Sequence, residues 1–159
     1  MAITKKHLNK LTEDLTKYDV AKCIEEKLNE DNTRKRVIEP ILMSLGYSWD
    51  EMETEFDAGR SKSERADIGL KTNGNRVEVL IECKRITEKL TEKHLNQLNA
   101  YFVNLPTTKI GILTNGVEWQ FYAPGQERDR DLNFEPYFTF NLQNFNDDDV
   151  AQLIRYNRS

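Results

Sequence analysis

The sequence lacks any long apolar run, and its first residues do not lead into one. No stretch approaches the roughly 18 consecutive apolar residues that a membrane-spanning helix requires. The two cysteines, Cys23 and Cys83, lie far apart and have no histidine at a metal-ligand spacing, so we expect neither a disulfide framework nor a zinc site. These absences predict an unexported protein of the reducing cytoplasm that has no membrane contact.

An excess of positive charge is also missing. The chain has 23 Lys and Arg against 27 Asp and Glu, which gives a formal net charge of -4. A freestanding nucleic-acid binder usually carries clustered lysine and arginine, because these side chains neutralise phosphates. Any basic surface must therefore be local. Candidates for such a basic surface flank the acidic residues discussed below: Arg60, Lys62, Arg65, Lys84 and Arg85. For Arg60, Lys62 and Arg65, a merely solvated loop is an equally good explanation.

The composition fits one globular domain with a single core, since 38% of the 159 residues are hydrophobic and 31% are charged. Helical patterns occur before, between and after strand patterns, which predicts an α/β fold. We expect residues 1–28 to form a helical extension, residues 29–123 a core, and residues 124–159 a last strand and helix. No internal repeat or low-complexity linker is visible.

Two helices are predicted in the first part of the chain. Apolar residues recur at intervals of three and four through the first twenty residues, which indicates an amphipathic helix that reaches at most to Leu28. Asn29 is a good cap for a second helix, which runs to Leu45. Pro40 has no backbone N–H, so we expect this second helix to be kinked or broken near residues 36–39.

The remaining elements follow from the same patterns. Residues 53–64 suggest a strand end and an exposed loop. A helix over residues 90–105 stops before Pro106, and residues 110–113 form a short buried strand. Two further strands are predicted at residues 117–122 and 137–142, and a helix begins near Asp147.

Residues 65–71 alternate between apolar and polar, and residues 77–81 are almost continuously apolar, so these segments predict a β-hairpin. If Asn73 and Gly74 form its two-residue turn, Asp67 lies opposite Leu80 and Glu82 becomes its diagonal neighbour. Side chains two apart on a strand share a face. The hairpin therefore projects Asp67, Glu82 and Lys84 to one side.

Two carboxylates in this position predict a metal site. Diagonal neighbours lie roughly 7–8 Å apart, close enough to converge on one divalent cation. The opposite face is apolar, so the strand is central, where ionised groups are costly unless paired or bound to metal. The apolar residues on this opposite face are Val77, Val79, Ile81 and Cys83. The alternative is an ion pair of Glu82 with Arg65 or Lys84, with Asp67 merely solvated.

The spacing of Ala66-Asp67-Ile68 and Glu82-Cys83-Lys84 resembles the core of the PD-(D/E)XK nuclease superfamily. Five further motifs, in order, narrow the resemblance to the N-terminal nuclease domain of type I restriction enzyme R subunits. They are residues 29–34, 38–42 with 45–47, 97–101, 113–116 and 119–122. The resemblance covers about residues 23–123. It implies a restriction-endonuclease-like central mixed β-sheet flanked by helices, with an N-terminal helical extension.

By this resemblance, Asp67 and Glu82 hold Mg²⁺, for which Mn²⁺ would substitute, and the backbone carbonyl of Cys83 is a further ligand. Lys84 orients or activates the attacking water. The chemistry is reasonable, because a bound divalent cation lowers the pKa of its water and screens the charge on a phosphate oxygen. A lysine supplies a second positive charge nearby.

The resemblance also places a helix glutamate near the metal, and Glu30 matches that position better than Glu39. At 100° per residue, Glu30 and Arg34 lie beside the apolar face of the second helix, whereas Glu39 points nearly opposite. Helix capping alone would also explain Glu30.

Gln97 belongs to the family's glutamine motif, and it shares one edge of its helix with His94 and Tyr101. These side chains are placed to line the cleft and to touch metal-bound water or a phosphate. A polar border to the core is the alternative, and it suits His94 better. We assign four aromatic residues to packing rather than base stacking: Trp49, Trp119, Phe121 and Tyr122.

The expected function is a Mg²⁺-dependent DNA endonuclease of restriction-enzyme type, acting in defence or in a mobile element. Glu30, Asp67, Glu82, Lys84 and Gln97 are its candidate catalytic residues. Candidate DNA contacts are Arg34, Arg60, Lys62, Arg65, Arg85 and Tyr101. The alternatives are a nuclease-fold module without turnover, used for binding or assembly, and an RNA-processing nuclease.

The R subunits carry helicase motors, but this sequence has no Gly-x-x-x-x-Gly-Lys-Ser/Thr phosphate loop. We therefore expect no ATP-driven translocation by this chain. Its net acidity also weakens independent DNA binding. A homo-oligomer, or a protein partner that delivers DNA, is expected to supply the missing affinity.

Overall fold

The structure is a computed structural model that describes residues 4–57, 65–125 and 131–156. In this part of the chain, six strands form one sheet and lie across it in chain order. They are β1 (Met52–Asp57), β2 (Arg65–Asn73), β3 (Arg76–Cys83), β4 (Ile110–Thr114), β5 (Glu118–Tyr122) and β6 (Phe138–Asn141). Strands β3 and β4 pair in parallel, and the other neighbouring pairs are antiparallel. The sheet is therefore mixed.

Helices flank this sheet, which confirms the predicted restriction-endonuclease-like α/β architecture. They are α1 (Lys5–Thr16), α2 (Val20–Glu25), α3 (Glu30–Thr33), α4 (Glu39–Ser44), α5 (Glu92–Val103) and α6 (Asp147–Leu153). A π-helical turn, Arg34–Ile38, joins α3 to α4, and short 3₁₀ turns lie at Trp49–Glu51 and Ile154–Tyr156. Among the described residues, no helix is long and apolar enough to span a bilayer.

The central strands are buried on both faces, which explains their almost continuous apolar sequence. Helix α5 connects β3 to β4 and covers one face, where Leu98 packs with Leu80 and Leu113. On the other face, Ile81 and Ile112 belong to a larger cluster. Residues of the N-terminal helices and of α6 complete that cluster: Leu11, Leu15, Ile41, Leu42, Val150 and Leu153.

The N-terminal region differs from the prediction of one helix reaching toward Leu28. Helix α1 ends at Thr16, and α2 begins after Asp19, whose carboxylate accepts the Lys22 N–H at 3.0 Å. A side-chain acceptor at this position satisfies a free N–H of a new helix start, so it interrupts the apolar periodicity. Leu28 lies beyond α2 but is buried in the core.

The expected interruption before Pro40 is confirmed, and it takes the form of the π-helical turn. The Glu39 N–H donates to the Arg34 carbonyl, five residues back, instead of four. This wider turn changes the phase of the helix, so the prediction that Glu39 points away is wrong. Glu39 is 3% exposed, and its Oε2 lies 3.5 Å from the Nε of Arg34.

The β2–β3 hairpin is confirmed, but its register differs from the prediction by two residues. Asn73 pairs with Arg76, so Gly74 and Asn75 form the turn, and Gly74 takes a φ of 65°. A glycine at this first turn position accommodates a left-handed backbone. Leu80 consequently lies opposite Gly69 rather than Asp67.

Two irregularities next to this turn offset each other, one between Leu70 and Lys71 and one between Lys71 and Asn73. Because of them, Val77 packs with Leu80 on the α5 face rather than with Val79 as predicted. A displacement by an even number of residues leaves every side chain on its face. The same-face prediction for the acidic residues therefore survives the change of register.

The later elements agree with the sequence patterns apart from their ends, since α5 spans Glu92–Val103 rather than residues 90–105. Both cysteines are free, as expected. Trp119, Phe121 and Tyr122 are buried, but Trp49 is 67% exposed. The packing role predicted for Trp49 is therefore wrong, because this residue lies in a short 3₁₀ turn at the surface before β1.

Candidate active site

Asp67 and Glu82 lie side by side where β3 ends. Ile68 is opposite Ile81, and the same register continued by one residue sets Asp67 opposite Glu82. Directly opposite residues have Cβ atoms about 4.5–5.5 Å apart, closer than the predicted diagonal arrangement. The Cys83 N–H donates to Oδ2 of Asp67 at 2.6 Å and fixes this carboxylate.

The Glu82 carboxylate is nearly inaccessible, at 3% exposure. Burial, followed by the charge of Asp67, raises the pKa of Glu82 to about 8. Burial also raises the pKa of Asp67, against the opposing effect of the Cys83 N–H. The Oε2 atom of Glu82 is buried and has no hydrogen-bond partner. The pair therefore attracts a proton or a cation.

Lys84 projects into the same cluster. Its Nζ lies 3.2 Å from Oε1 of Glu82 and donates to Oε1 of Gln97 at 3.4 Å. Burial alone would lower the pKa of Lys84, but the carboxylates of Glu82, Glu30 and Asp67 together outweigh it, and the pKa is raised. The ion pair between Glu82 and Lys84, which the alternative to a metal site assumed, is therefore present. Asp67, however, is not merely solvated, because it is fixed by Cys83 and faces Glu82.

Glu30, at the start of α3, belongs to the same cluster although it lies far away in sequence. Partial burial raises its pKa, and the charge of Asp67 adds to this effect, while Lys84 and Arg85 oppose it. Asn29 caps the helix by accepting the Asn32 N–H at 2.8 Å. Glu30 is therefore not needed as the side-chain cap, and its charge raises the pKa of Glu82.

The edge of α5 lies beside Lys84. Gln97 contacts Lys84 through its Oε1, and its Nε2 donates to the hydroxyl of Tyr101 at 3.1 Å. His94 lies with its Nε2 3.6 Å from Oε1 of Glu88. Burial and the charge of Lys84 lower the pKa of His94. All three residues of this predicted edge thus border the cluster.

The candidate DNA contacts have different environments. Arg34 lies between Asp31 and Glu39, at 3.3 and 3.5 Å, and its charge reaches Asp67. Of the other five candidates, Arg65 is exposed and lies 4.0 Å from Glu55, Arg85 is exposed, and Tyr101 is buried. Arg60 and Lys62 lie outside the described residues. The expected loop of residues 58–64 also lies outside them.

Three buried polar residues that the sequence analysis did not assign hold the segment after Glu82 in place. Thr33, Thr114 and Asn115 hydrogen-bond to the backbone of residues 84–88. Thr114 and Asn115 belong to the motif at residues 113–116, which was noted only as a resemblance. Their burial carries no periodic signal, so only the motif itself could have indicated them.

One observation indicates that a divalent cation fits this cluster: the Oε2 atom of Glu82 is buried beside Asp67 and has no hydrogen-bond partner. Within residues 4–57, 65–125 and 131–156, no three His, Cys, Asp or Glu side chains form a metal-binding group. The donors from side chains would thus be two carboxylates, and other ligands would come from the backbone, water or substrate. Binding of the cation by the backbone carbonyl of Cys83 stays a prediction.

Comparison with known proteins identifies the family of this chain. Residues 29–135 match the family described as "Type I restriction enzyme R protein N terminus (HSDR_N)". The chain belongs to this family. This membership makes its function nuclease-related and confirms the resemblance noted from the motifs.

One curated relative is a "Putative type II restriction enzyme and methyltransferase RM.MjaORFECS2P" from Methanocaldococcus jannaschii. It is 30% identical over 137 residues, which cover 81% of this chain and 11% of the relative. The chain thus spans about a ninth of that protein's length. No solved structure matches the chain.

The shifted pKa of Glu82 predicts how pH acts on the metal-free protein. Between an unfolded pKa near 4.5 and a folded pKa of about 8, the folded state keeps a proton that the unfolded state releases, so stability falls as pH rises. Glu82→Gln removes this effect. We expect it to raise the free energy of unfolding at pH 8 by more than about 1 kcal/mol relative to wild type, and less at pH 5.

Urea unfolding of both proteins at the two pH values, with a chelator present, measures this difference. Glu78→Gln is the matched control on the same strand, because the Thr72 hydroxyl lowers the pKa of Glu78. Removing that charge should bring no gain at pH 8. Equal stabilities of wild type and Glu82→Gln at pH 8 would contradict the buried-pair interpretation.

Proposed function

We propose that this chain is a Mg²⁺-dependent endonuclease that hydrolyses phosphodiester bonds in DNA. The observation that carries the proposal is the buried Glu82 carboxylate, with one unpaired oxygen, beside Asp67 and Lys84. An unpaired buried acceptor is costly, and the ion pair of Glu39 with Arg34 also leaves one. The Glu82 oxygen differs because a second carboxylate, that of Asp67, lies beside it. A site that binds a cation accounts for this arrangement without such a cost.

In this proposal Asp67 and Glu82 hold the cation, which would activate water and screen the charge on a phosphate oxygen. The protein's own groups do the rest. The Cys83 N–H keeps the Asp67 carboxylate in one orientation. Lys84, held between Glu82 and Gln97, places a fixed positive charge where the attacked phosphate gains negative charge. Glu30 contributes the charge of a third carboxylate, which acts on Glu82 although Glu30 does not join Asp67 and Glu82 in one metal-binding group.

DNA is the proposed substrate because the family and the relative are both described as restriction enzymes. We place the activity in the reducing cytoplasm, since both cysteines are free. A role in defence or in a mobile element fits the same relationship. The RNA-processing nuclease and the module without turnover remain the competing functions, and the same assay separates all three.

The central test is a cleavage assay. Purified protein is incubated with plasmid, linear and single-stranded DNA and with RNA, in the presence of Mg²⁺, Mn²⁺ or a chelator. We expect metal-dependent cleavage of DNA, and we expect Asp67→Asn and Lys84→Ala to reduce its rate by at least about 100-fold with the fold intact. Lys109→Ala is the control, because this exposed lysine pairs with Glu78 on β3.

Each competing outcome has a distinct meaning. Cleavage of RNA alone would support the RNA-processing function. Calorimetric binding of Mn²⁺ that Asp67→Ala abolishes, without cleavage of any substrate, would support a module without turnover. A Lys84→Ala variant that cleaves at the wild-type rate would refute the role of the lysine.

Glu30 and Glu39 should respond differently to loss of charge. Glu30→Gln is expected to slow cleavage by at least about tenfold with little change in stability, because Glu30 faces the acidic pair. Glu39→Gln should instead lower the free energy of unfolding by about 1 to 3 kcal/mol, since it removes the buried carboxylate beside the Arg34 Nε and leaves Arg34 with Asp31 alone. Cleavage rates and urea unfolding of both variants test this. A larger loss of cleavage in Glu39→Gln would reverse the assignment.

We also propose that the chain acts as a homo-oligomer or with a DNA-delivering protein. Its net charge of -4 gives no general attraction to DNA. One site cuts one strand at a time, whereas a symmetric dimer would place two sites on opposite strands. Light scattering over a concentration series, with a DNA titration near physiological salt, provides the test. A strict monomer that binds DNA with a Kd below about 10⁻⁸ M would argue against this requirement.

A further inference from the structure

The hydroxyl of Thr33 joins the helix that carries Glu30 to the segment that follows Lys84. Thr33 is the last residue of α3 and is fully buried. The Ile86 N–H donates to Oγ1 of Thr33 at 3.0 Å, and Oγ1 in turn donates to the Leu28 carbonyl at 3.2 Å. A hydroxyl offers one donor and can accept as well, so both capacities are used.

The segment of residues 84–88 is held at three points, and Thr33 provides the middle one. At one end, the Lys84 N–H donates to the Thr114 carbonyl at 2.8 Å. At the other end, Nδ2 of Asn115 donates to the Glu88 carbonyl at 2.8 Å. Both of these partners lie at the end of β4. The bond to Thr33 instead ties the segment to α3.

Glu30 faces the same segment that Thr33 binds. Residues three apart on a helix lie on one side of it, so Glu30 and Thr33 are neighbours on α3. The charges that act on Glu30 include those of Lys84, Arg85 and Glu88, all within the segment. The hydrogen bond from Ile86 to Thr33 thus joins the helix that carries Glu30 to the segment that carries Lys84.

The side chain of Thr33 is also fixed by its packing. Gly116 has a φ of 87°, and a Cβ there would lie 3.2 Å from Cγ2 of Thr33. The turn after β4 therefore passes so close to the threonine methyl group that a side chain at Gly116 would crowd it. Together with the complete burial of Thr33, this limits the space around its side chain.

We propose that Thr33 is a positioning residue that sets Glu30 against Lys84 through its hydrogen bond to Ile86. The inference rests on the proposed function, because it assigns the hydroxyl a role in cleavage. Thr33 itself touches neither substrate nor cation. It acts by holding α3 and the segment of residues 84–88 in one relative arrangement.

A pair of substitutions separates the hydroxyl from the shape of the side chain. Thr33→Val keeps both branches and the contact with Gly116 but cannot accept a hydrogen bond. Thr33→Ser keeps the hydroxyl. In the metal-free protein, amide hydrogen exchange of Ile86 should accelerate at least tenfold in Thr33→Val and stay within about threefold of wild type in Thr33→Ser. This measurement needs neither cation nor substrate.

Single-turnover cleavage of DNA, at a temperature where all variants are folded, gives the second measurement. Thr33→Val should be at least tenfold slower than wild type, and Thr33→Ser should retain most of the rate. In a Glu30→Gln background, Thr33→Val should lower the cleavage rate by less than a further twofold, because the carboxylate that Thr33 positions is already absent. A purely structural role would not produce this loss of additivity.

Three results would overturn the inference. They are unchanged exchange of Ile86 in Thr33→Val, a folded Thr33→Val protein that cleaves at the wild-type rate, and an equal effect of Thr33→Val in the presence and absence of Glu30. A wild-type protein that cleaves no nucleic acid contradicts the proposed function instead. That failure is recognised in the wild type, before any Thr33 variant is compared.

Discussion

The antiparallel pairing of β2 with β3 forces two carboxylates together at a buried strand end, and the rest of the site follows from this constraint. Ile68 opposite Ile81 leaves Asp67 and Glu82 as neighbours on one face. Burial and the charge of Asp67 raise the pKa of Glu82 to about 8, so the metal-free fold keeps a proton on Glu82 near neutral pH and carries an unfavourable pair of charges only at higher pH. The Cys83 N–H and Lys84 offset part of that cost. In the proposed function, the cation lies beside the Oε2 atom of Glu82, which the protein leaves without a hydrogen bond.

The parallel pairing of β3 with β4 determines what else surrounds the acidic pair. It requires a crossover, and helix α5 provides it, which brings Gln97 to Lys84. The same pairing puts the turn after β4 beside the end of β3, where Thr114 and Asn115 hold residues 84–88. The N-terminal side is completed by α3 and the π-helical turn. That turn buries Glu39 against Arg34, whose charge stabilises the ionised form of Asp67.

How far the sequence predicts this site depends on the range of the interaction involved. A period of two fixes the face of a strand residue, so Asp67, Glu82 and Lys84 could be placed together even though the turn was predicted one residue early. The π-helical turn changed the phase of a helix that was treated as regular, and Glu39 was therefore misplaced. Thr33 was missed for another reason. Its partner Ile86 is 53 residues away, and such a hydrogen bond leaves no local pattern in the sequence.

The charges of the assembled cluster connect its chemistry to the acidity of the whole chain. Four carboxylates, those of Glu30, Asp67, Glu82 and Glu88, face the positive charges of Arg34, Lys84 and Arg85. A phosphate that approaches the metal-free cluster meets more negative than positive charge when all these groups are ionised. In the proposed function, a divalent cation reverses that balance, so cation and DNA favour each other's binding. The Cys83 N–H holds the Asp67 carboxylate, and the Thr33 hydroxyl holds the segment that follows Lys84, so these two contacts order the cluster without adding to the positive charge that Lys84, Arg34 and Arg85 already supply.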